Sequence, residues 1–178
     1  MALIDAGLTL LESRDVSALS LREVARHVGV SATAIYRHFP DKQTLLVALA
    51  QTGFERLALQ QSTAAAAGGA AGFAGSGRAY VRFAIENPSL FRLMFAHLPA
   101  ETHPELASPE GSAAHLLHAG VAALMPETAS RQERFVAMLR AWSLVHGLAM
   151  LILDRQVSRD VAEAMIDRIV APDSLKMG

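Results

Sequence analysis

Ser20-Leu21-Arg22-Glu23-Val24-Ala25-Arg26-His27-Val28-Gly29-Val30-Ser31-Ala32-Thr33-Ala34-Ile35-Tyr36-Arg37-His38-Phe39-Pro40-Asp41-Lys42 is the stretch on which the fold turns. Ser20 and Glu23 stand at capping-box spacing, the hydroxyl able to accept from the Glu23 N–H and the carboxylate able to reach back to that of Ser20. Leu21, Val24, Ala25 and Val28 follow at helical intervals and give a short amphipathic helix. Gly29 ends it, because glycine takes the left-handed conformation that β-branched residues resist. Ser31 is a fresh N-cap, and Ala32 to His38 form a further helix of barely two turns. Pro40-Asp41 breaks that helix and caps a fourth beginning at Lys42. Two short helices joined at a glycine, the second capped by serine, constitute a helix-turn-helix. Ala25 is small enough for a close crossing, and Val30 and Ile35 are expected to fill the wedge between the helices.

Outward from this unit every readable segment keeps helical period. Leu3, Ala6, Gly7, Leu10 and Leu11 predict a first helix ending near Ser13 to Asp15. The fourth helix runs from Lys42 towards Thr63 with Leu45, Leu46, Leu49, Phe54 and Leu57 apolar. Ala64 to Gly77 is alanine and glycine, and its five glycines argue for a frayed end and a flexible connection. Tyr80 to Glu86 resumes a helix that Asn87-Pro88 terminates, and Ser89 caps a short apolar one containing Leu90, Phe91, Leu93, Met94 and Phe95. Pro99 to Pro109 reads as a loop. Ala113 to Leu124, Arg131 to Asp154 and Val161 to Val170 read as helices. With no credible strand, the fold class is all-α.

Composition excludes several functional classes. The chain has 178 residues, of which 52% are hydrophobic and 19% charged, too apolar for a disordered chain. That apolar share exceeds what a monomer this small hides, so part of it should face a second subunit or a cavity. There is no cysteine, which removes disulfides and thiolate chemistry. No signal peptide is readable. The longest apolar stretch, Ala141 to Leu153, is too short to span a bilayer and reads as a buried helix, so the expected compartment is the cytoplasm with no membrane partner. Nucleophile-elbow, phosphate-loop and zinc-helix motifs are missing, and no enzyme activity and no cofactor are expected. Net charge is −1, yet between Ser20 and Lys42 the bases Arg22, Arg26, Arg37 and Lys42 oppose only Glu23 and Asp41. Phosphate binding responds to such a local patch rather than to the total.

A helix-turn-helix projects its second helix into the major groove while the first crosses the backbone. Ala32 and Thr33 could touch a thymine methyl, and Arg37 could fork onto guanine or a phosphate. Lys42, at a helix N-terminus, suits a phosphate. Ser20 and Arg22, at the start of the preceding helix, complete the expected contact set.

The quoted run resembles the DNA-binding signature of the TetR family. The resemblance lies in Val24-Ala25, Gly29-Val30-Ser31, Ile35-Tyr36-x-His38-Phe39, and Lys42 followed by Leu45. It implies that Tyr36, His38 and Lys42 meet phosphates, that Ser31 and Thr33 lie near base edges or backbone, and that Phe39 packs between head and body. Further on, Asn87-Pro88-x-Leu90-Phe91-Arg92-Leu93-Met94-Phe95 and Trp142-Ser143-Leu144-Val145-His146-Gly147 resemble the Trp-His-Gly type of C-terminal domain in the same family. The family implies about nine helices, a two-fold dimer, and a cavity whose ligand controls the spacing of the two heads. The expected division is a helix-turn-helix domain over 1–47 and a ligand-binding and dimerisation domain over 48–178. Where the family carries a basic stretch ahead of the first helix, this chain starts almost on that helix, so no arm is counted among the contacts. A glycine usual after the first helix is replaced near Asp15-Val16, and one common in the third helix is Thr33.

The expectation is therefore a homodimeric repressor that grips a palindromic operator in double-stranded DNA and is released by a small apolar ligand. The alternative is a ligand-independent regulator or activator on the same scaffold. Expected ligand contacts are Phe83, Phe91, Met94, Phe95, Met138, Trp142 and His146, although core packing explains these aromatic and methionine residues equally well. Ser143 and Gly147 are small residues at i,i+4 that permit a close helix approach. His115 and His118 stand three apart but lack a neighbouring carboxylate or cysteine, so they read as surface residues and no metal is expected.

Overall fold

The computed structural model describes residues 2–13, 15–96 and 110–171, and all their regular elements are helical. They are α1 (Ala2–Ser13), a 3-10 turn (Val16–Ala18), α2 (Leu21–Val28), α3 (Ala32–His38), α4 (Lys42–Ala64), α5 (Gly69–Glu86), α6 (Pro88–Ala96), α7 (Ala113–Leu124), α8 (Arg131–Leu153) and α9 (Arg159–Ile169). The loop expected over Pro99 to Pro109 lies outside the described residues.

The chain divides into two compact units, and α4 contributes to both. The first holds the residues up to Phe54 together with α6. Its core is built from Leu10, Leu11, Leu19, Val24, Ile35, Leu45 and Leu49, all buried. Close approach to α6 is made at Gly53, where a side chain would run into Met94. Phe95 sits edge-on to Phe54 at 5.4 Å and beside Phe91 at 4.9 Å, aromatic geometry that adds specificity to burial. The first turn of α6 starts at Pro88 rather than after Ser89, with the Phe91 N–H donating to the Asn87 carbonyl at 2.8 Å. Proline suits a first helical position because its missing N–H has no partner to lose there.

The second unit comprises Glu55–Glu86 and the chain from Pro104 onward. Its α5 packs chiefly against α8, then against α7 and α9. Ala74, Val81, Leu148, Ile152, Ala162, Ile166 and Val170 form its buried cluster. The flexible connection expected over Ala64 to Gly77 is instead a tight helical hairpin. Gly68 and Gly69 take left-handed φ of 67° and 53° to make the turn, and α5 begins at once. A Cβ at Gly72 or Gly75 would collide with the carbonyl oxygens of Ala65 and Ala64. The glycines that weaken the helix locally thus let two backbones touch. Gln61, itself buried, ties the hairpin by donating to the Ser76 hydroxyl at 3.1 Å.

Among the described residues α8 alone is long and apolar enough to cross a membrane by length and composition, more than its central apolar run suggested. Met138, Ala141, Leu148, Ala149 and Ile152 bury one face of it within the unit. A complete capping box starts it. The Ser130 hydroxyl accepts from the Glu133 N–H at 3.2 Å while the Glu133 carboxylate accepts from the Ser130 N–H at 2.7 Å.

Candidate nucleic-acid interface

The turn between α2 and α3 is determined by its own backbone. Gly29 has φ 77°, its N–H donates to the Arg26 carbonyl at 3.2 Å, and the Val30 N–H reaches back to the Ala25 carbonyl at 2.9 Å. These paired bonds satisfy carbonyls that a helix end leaves open, and they fix the exit direction of the chain. Ser20 accepts from the Glu23 N–H and Ser31 from the Ala34 N–H, each at 3.2 Å. Ala25 and Ile35 are buried as expected, but Val30 is exposed, because the turn carries it away from the wedge. Ile35 alone anchors α3, and no other residue of that helix is buried.

Ser31, Ala32, Thr33, Tyr36, Arg37 and His38 consequently share an exposed surface, with Ser20 and Arg22 exposed at the start of α2. Phe39 is half-buried. Arg22, Arg26, His27 and Arg37 are exposed as well. The one acidic side chain in the α2 sequence, Glu23, lies 3.7 Å from Arg26. Asp41 accepts from both the Thr44 N–H (2.7 Å) and hydroxyl (2.9 Å) at the start of α4. Those bonds, the backbone one foremost, hold its carboxyl below the usual range, and its charge is committed to the helix end. Lys42 holds a contact that no local pattern announces. Its Nζ donates to the Ser17 carbonyl at 2.9 Å, tying α4 to the 3-10 turn across 25 positions of sequence. The ammonium keeps two further N–H donors.

Comparison with known proteins matches this geometry. Residues 3–49 match the model described as bacterial regulatory proteins, tetR family, and residues 73–171 match a tetracyclin repressor-like C-terminal domain. The chain belongs to the TetR family. It is a DNA-binding transcriptional regulator, all-helical as the sequence resemblance implied. A Rhodococcus sp. RHA1 protein of unknown function is 30% identical and superposes with a TM-score of 0.72 over 98% of this chain and 91% of its own. A TetR protein from Acinetobacter baumannii AYE shares the fold at 18% identity and a TM-score of 0.68, covering 97% and 92% of the two chains. A TetR transcriptional regulator from Rhodococcus sp. RHA1 does so at 19% and 0.59, covering 99% and 94%.

In this TetR-family chain the seven expected ligand contacts fall in different places. Phe91, Met94 and Phe95 belong to α6 in the first unit, where Phe91 and Met94 are fully buried. Phe83, Met138, Trp142 and His146 belong to the second. Phe83 is enclosed, whereas Met138 lines a cavity of about 710 Å³ between α7 and the first half of α8. Trp142 and His146 meet at Tyr80. The indole N–H donates to the Tyr80 oxygen at 3.3 Å, and that hydroxyl lies 2.8 Å from His146 Nδ1. An indole can only donate, so the Tyr80 oxygen accepts from Trp142, while the direction of its bond with Nδ1 follows the His146 tautomer. Burial lowers the His146 pKa and raises the Tyr80 phenol well above its ordinary range, so both stay neutral.

His115 and His118 are half-buried rather than surface residues, and His118 Nε2 is enclosed with no hydrogen-bond partner. A Cβ at Gly147 would meet open space, with no atom of another described element within 4 Å. That side of α8 carries exposed Val136, Leu139 and Leu151, and α9 exposes Val161 and Met165.

Proposed function

We propose that this regulator is a homodimeric repressor whose two α3 helices enter successive major grooves of a palindromic operator. The observation that carries this reading is α3 itself. Seven residues are held by caps at both ends, and only Ile35 is spent on packing. Ala32 and Thr33 read base edges, while Ser31, Tyr36, His38, Lys42 and, at the start of α2, Ser20 and Arg22 meet phosphates. Arg37 reaches guanine or a phosphate. Heads about 34–36 Å apart match one turn of DNA. The stripe Val136, Leu139, Ser143, Gly147 and Leu151, spaced by three or four, together with Val161 and Met165, supports pairing of α8 and α9 with a second copy. A small, largely apolar effector in the second unit then shifts the dimer to a state with another head spacing, and it needs only higher affinity for that state. The setting is the cytoplasm, and the role is binding rather than catalysis.

The test is a gel-shift panel on a duplex selected from a random pool. Tyr36→Ala and Lys42→Ala should weaken binding to every duplex, Lys42→Ala also lowering the salt slope by about one. Thr33 variants should change sequence preference. Thr33 and Lys42 variants that behave alike would reject this division of roles, and a dimer that ignores all duplexes would overturn the reading. The solid packing of Phe83, Phe91 and Met94 favours a second reading, a ligand-independent regulator or activator. Operator affinity unchanged across a metabolite screen would select it.

A further inference from the structure

The cavity between α7 and α8 has an uneven lining. Val121, Ala122, Phe135 and Met138 supply an apolar wall, His118 an enclosed polar atom, and Arg131 a cation. Its volume of about 710 Å³ lies within the range of sites for small organic molecules. No acidic side chain among the described residues lines it. The nearby Glu133 carboxylate is occupied by the Ser130 N–H and hydroxyl, both at 2.7 Å, and Glu127 is exposed in the loop.

The two arginines differ in what they are free to do. Arg134 donates to the carbonyls of Ala129 (3.2 Å), Pro126 (3.0 Å) and Glu127 (3.1 Å), which fixes the α7–α8 loop. Arg131 is exposed and makes no ion pair or hydrogen bond among the described residues. His118 Nε2 is enclosed, with no hydrogen-bond partner among the described residues, so the cation at the mouth is the polar group open to a ligand. The two helices pack against each other, and Arg131 opens α8.

We propose that this cavity binds an amphipathic organic acid. The carboxylate pairs with Arg131 at the mouth, and the apolar body lies against Val121, Phe135 and Met138. This rests on the effector reading above and gives it a location and a ligand class.

Calorimetric titration of the full chain with two probes tests it: octanoate and octanediol. Octanoate should bind about tenfold tighter than the diol. Arg131→Ala should remove the preference for acid over diol, with Arg131→Lys restoring part of it. Equal affinity for acid and diol, no heat with any probe, or an acid preference that survives Arg131→Ala would each overturn the proposal. Gel shifts separate it from the reading beneath it. Acid that binds through Arg131 yet leaves the operator complex intact refutes release but keeps the site. Acid that releases the Arg131→Ala protein from DNA as readily as the parent refutes the site but keeps release.

Discussion

Two substitutions two residues apart on α5 should move stability in opposite directions. Alanine in the interior of a helix is favoured over glycine by up to about 1 kcal/mol. At Gly77 an added Cβ would lie 3.4 Å from Val145 Cγ1 and 3.5 Å from Val170 Cβ, ordinary contact distances. Gly77→Ala therefore keeps the full helix gain and buries a methyl worth up to about 0.8 kcal/mol. At Gly75 the new Cβ would overlap the Ala64 carbonyl oxygen, which is backbone and cannot swing aside. Overpacking of this kind costs about 1–3 kcal/mol. It would also strain the Gln61–Ser76 bond that ties the hairpin. For a chain of this length each kilocalorie shifts Tm by about 2–4 °C. The Tm of Gly77→Ala should rise by about 2–6 °C, whereas at Gly75 the same helix gain offsets part of the overpacking cost, leaving a net loss of up to about 2 kcal/mol and a fall of a few degrees. Calorimetric melts at one fixed protein concentration, needed because association couples to Tm, make the comparison. If both variants stabilise alike, the start of α5 is not pressed against the end of α4 in solution, and the hairpin reasoning is refuted.

Stability should fall on acidification through His146. Burial depresses its folded pKa below the ordinary value of 6.5, so the unfolded chain takes up the proton first. The contribution is complete above pH 6.5 and is lost as pH drops through the folded pKa. Urea melts in which His146→Gln keeps the parent slope between pH 5 and 7 would contradict this. Ser130→Ala removes the hydroxyl that accepts from the Glu133 N–H and donates to the Glu133 carboxylate and should cost about 1 kcal/mol, read as a lower midpoint at unchanged m-value. Leu139→Glu places a charge in the exposed α8 stripe. It should shift the sedimentation equilibrium towards monomer and weaken operator binding, and a variant that stays dimeric would move the interface elsewhere.

The helix-turn-helix was legible because its instructions are local. Ser20, Gly29, Ser31 and Asp41 each act within a few residues of themselves, and each makes the bond that its position suggests. What was not legible depends on partners distant in sequence. Val30 looks like a wedge residue until the turn geometry turns it outward. The anchoring of Lys42 on Ser17 spans the whole head. Composition alone made Ala64 to Gly77 look loose, since glycine disfavours helix, and only the facing carbonyls of Ala64 and Ala65 explain why glycine is needed there. Apolar stripes have the same ambiguity. Phe83, Phe91 and Met94 follow the periodicity of a pocket wall, but the pattern cannot distinguish a filled interior from a lined space. Of the seven residues read that way, Met138 reaches the α7–α8 cavity. His118, which lines that space, was read with His115 as a surface residue, since nothing near it in sequence marks it as half-buried.

The bond from Trp142 through the Tyr80 hydroxyl to His146 has a mechanical meaning. Two side chains one turn apart on α8 converge on one oxygen of α5, so α8 cannot roll about its long axis without breaking at least one of them. Whatever angle α8 presents to a second molecule is set from inside the subunit, before any encounter. A relative that lost the tyrosine would need another polar pivot, or it would let its outward stripe drift.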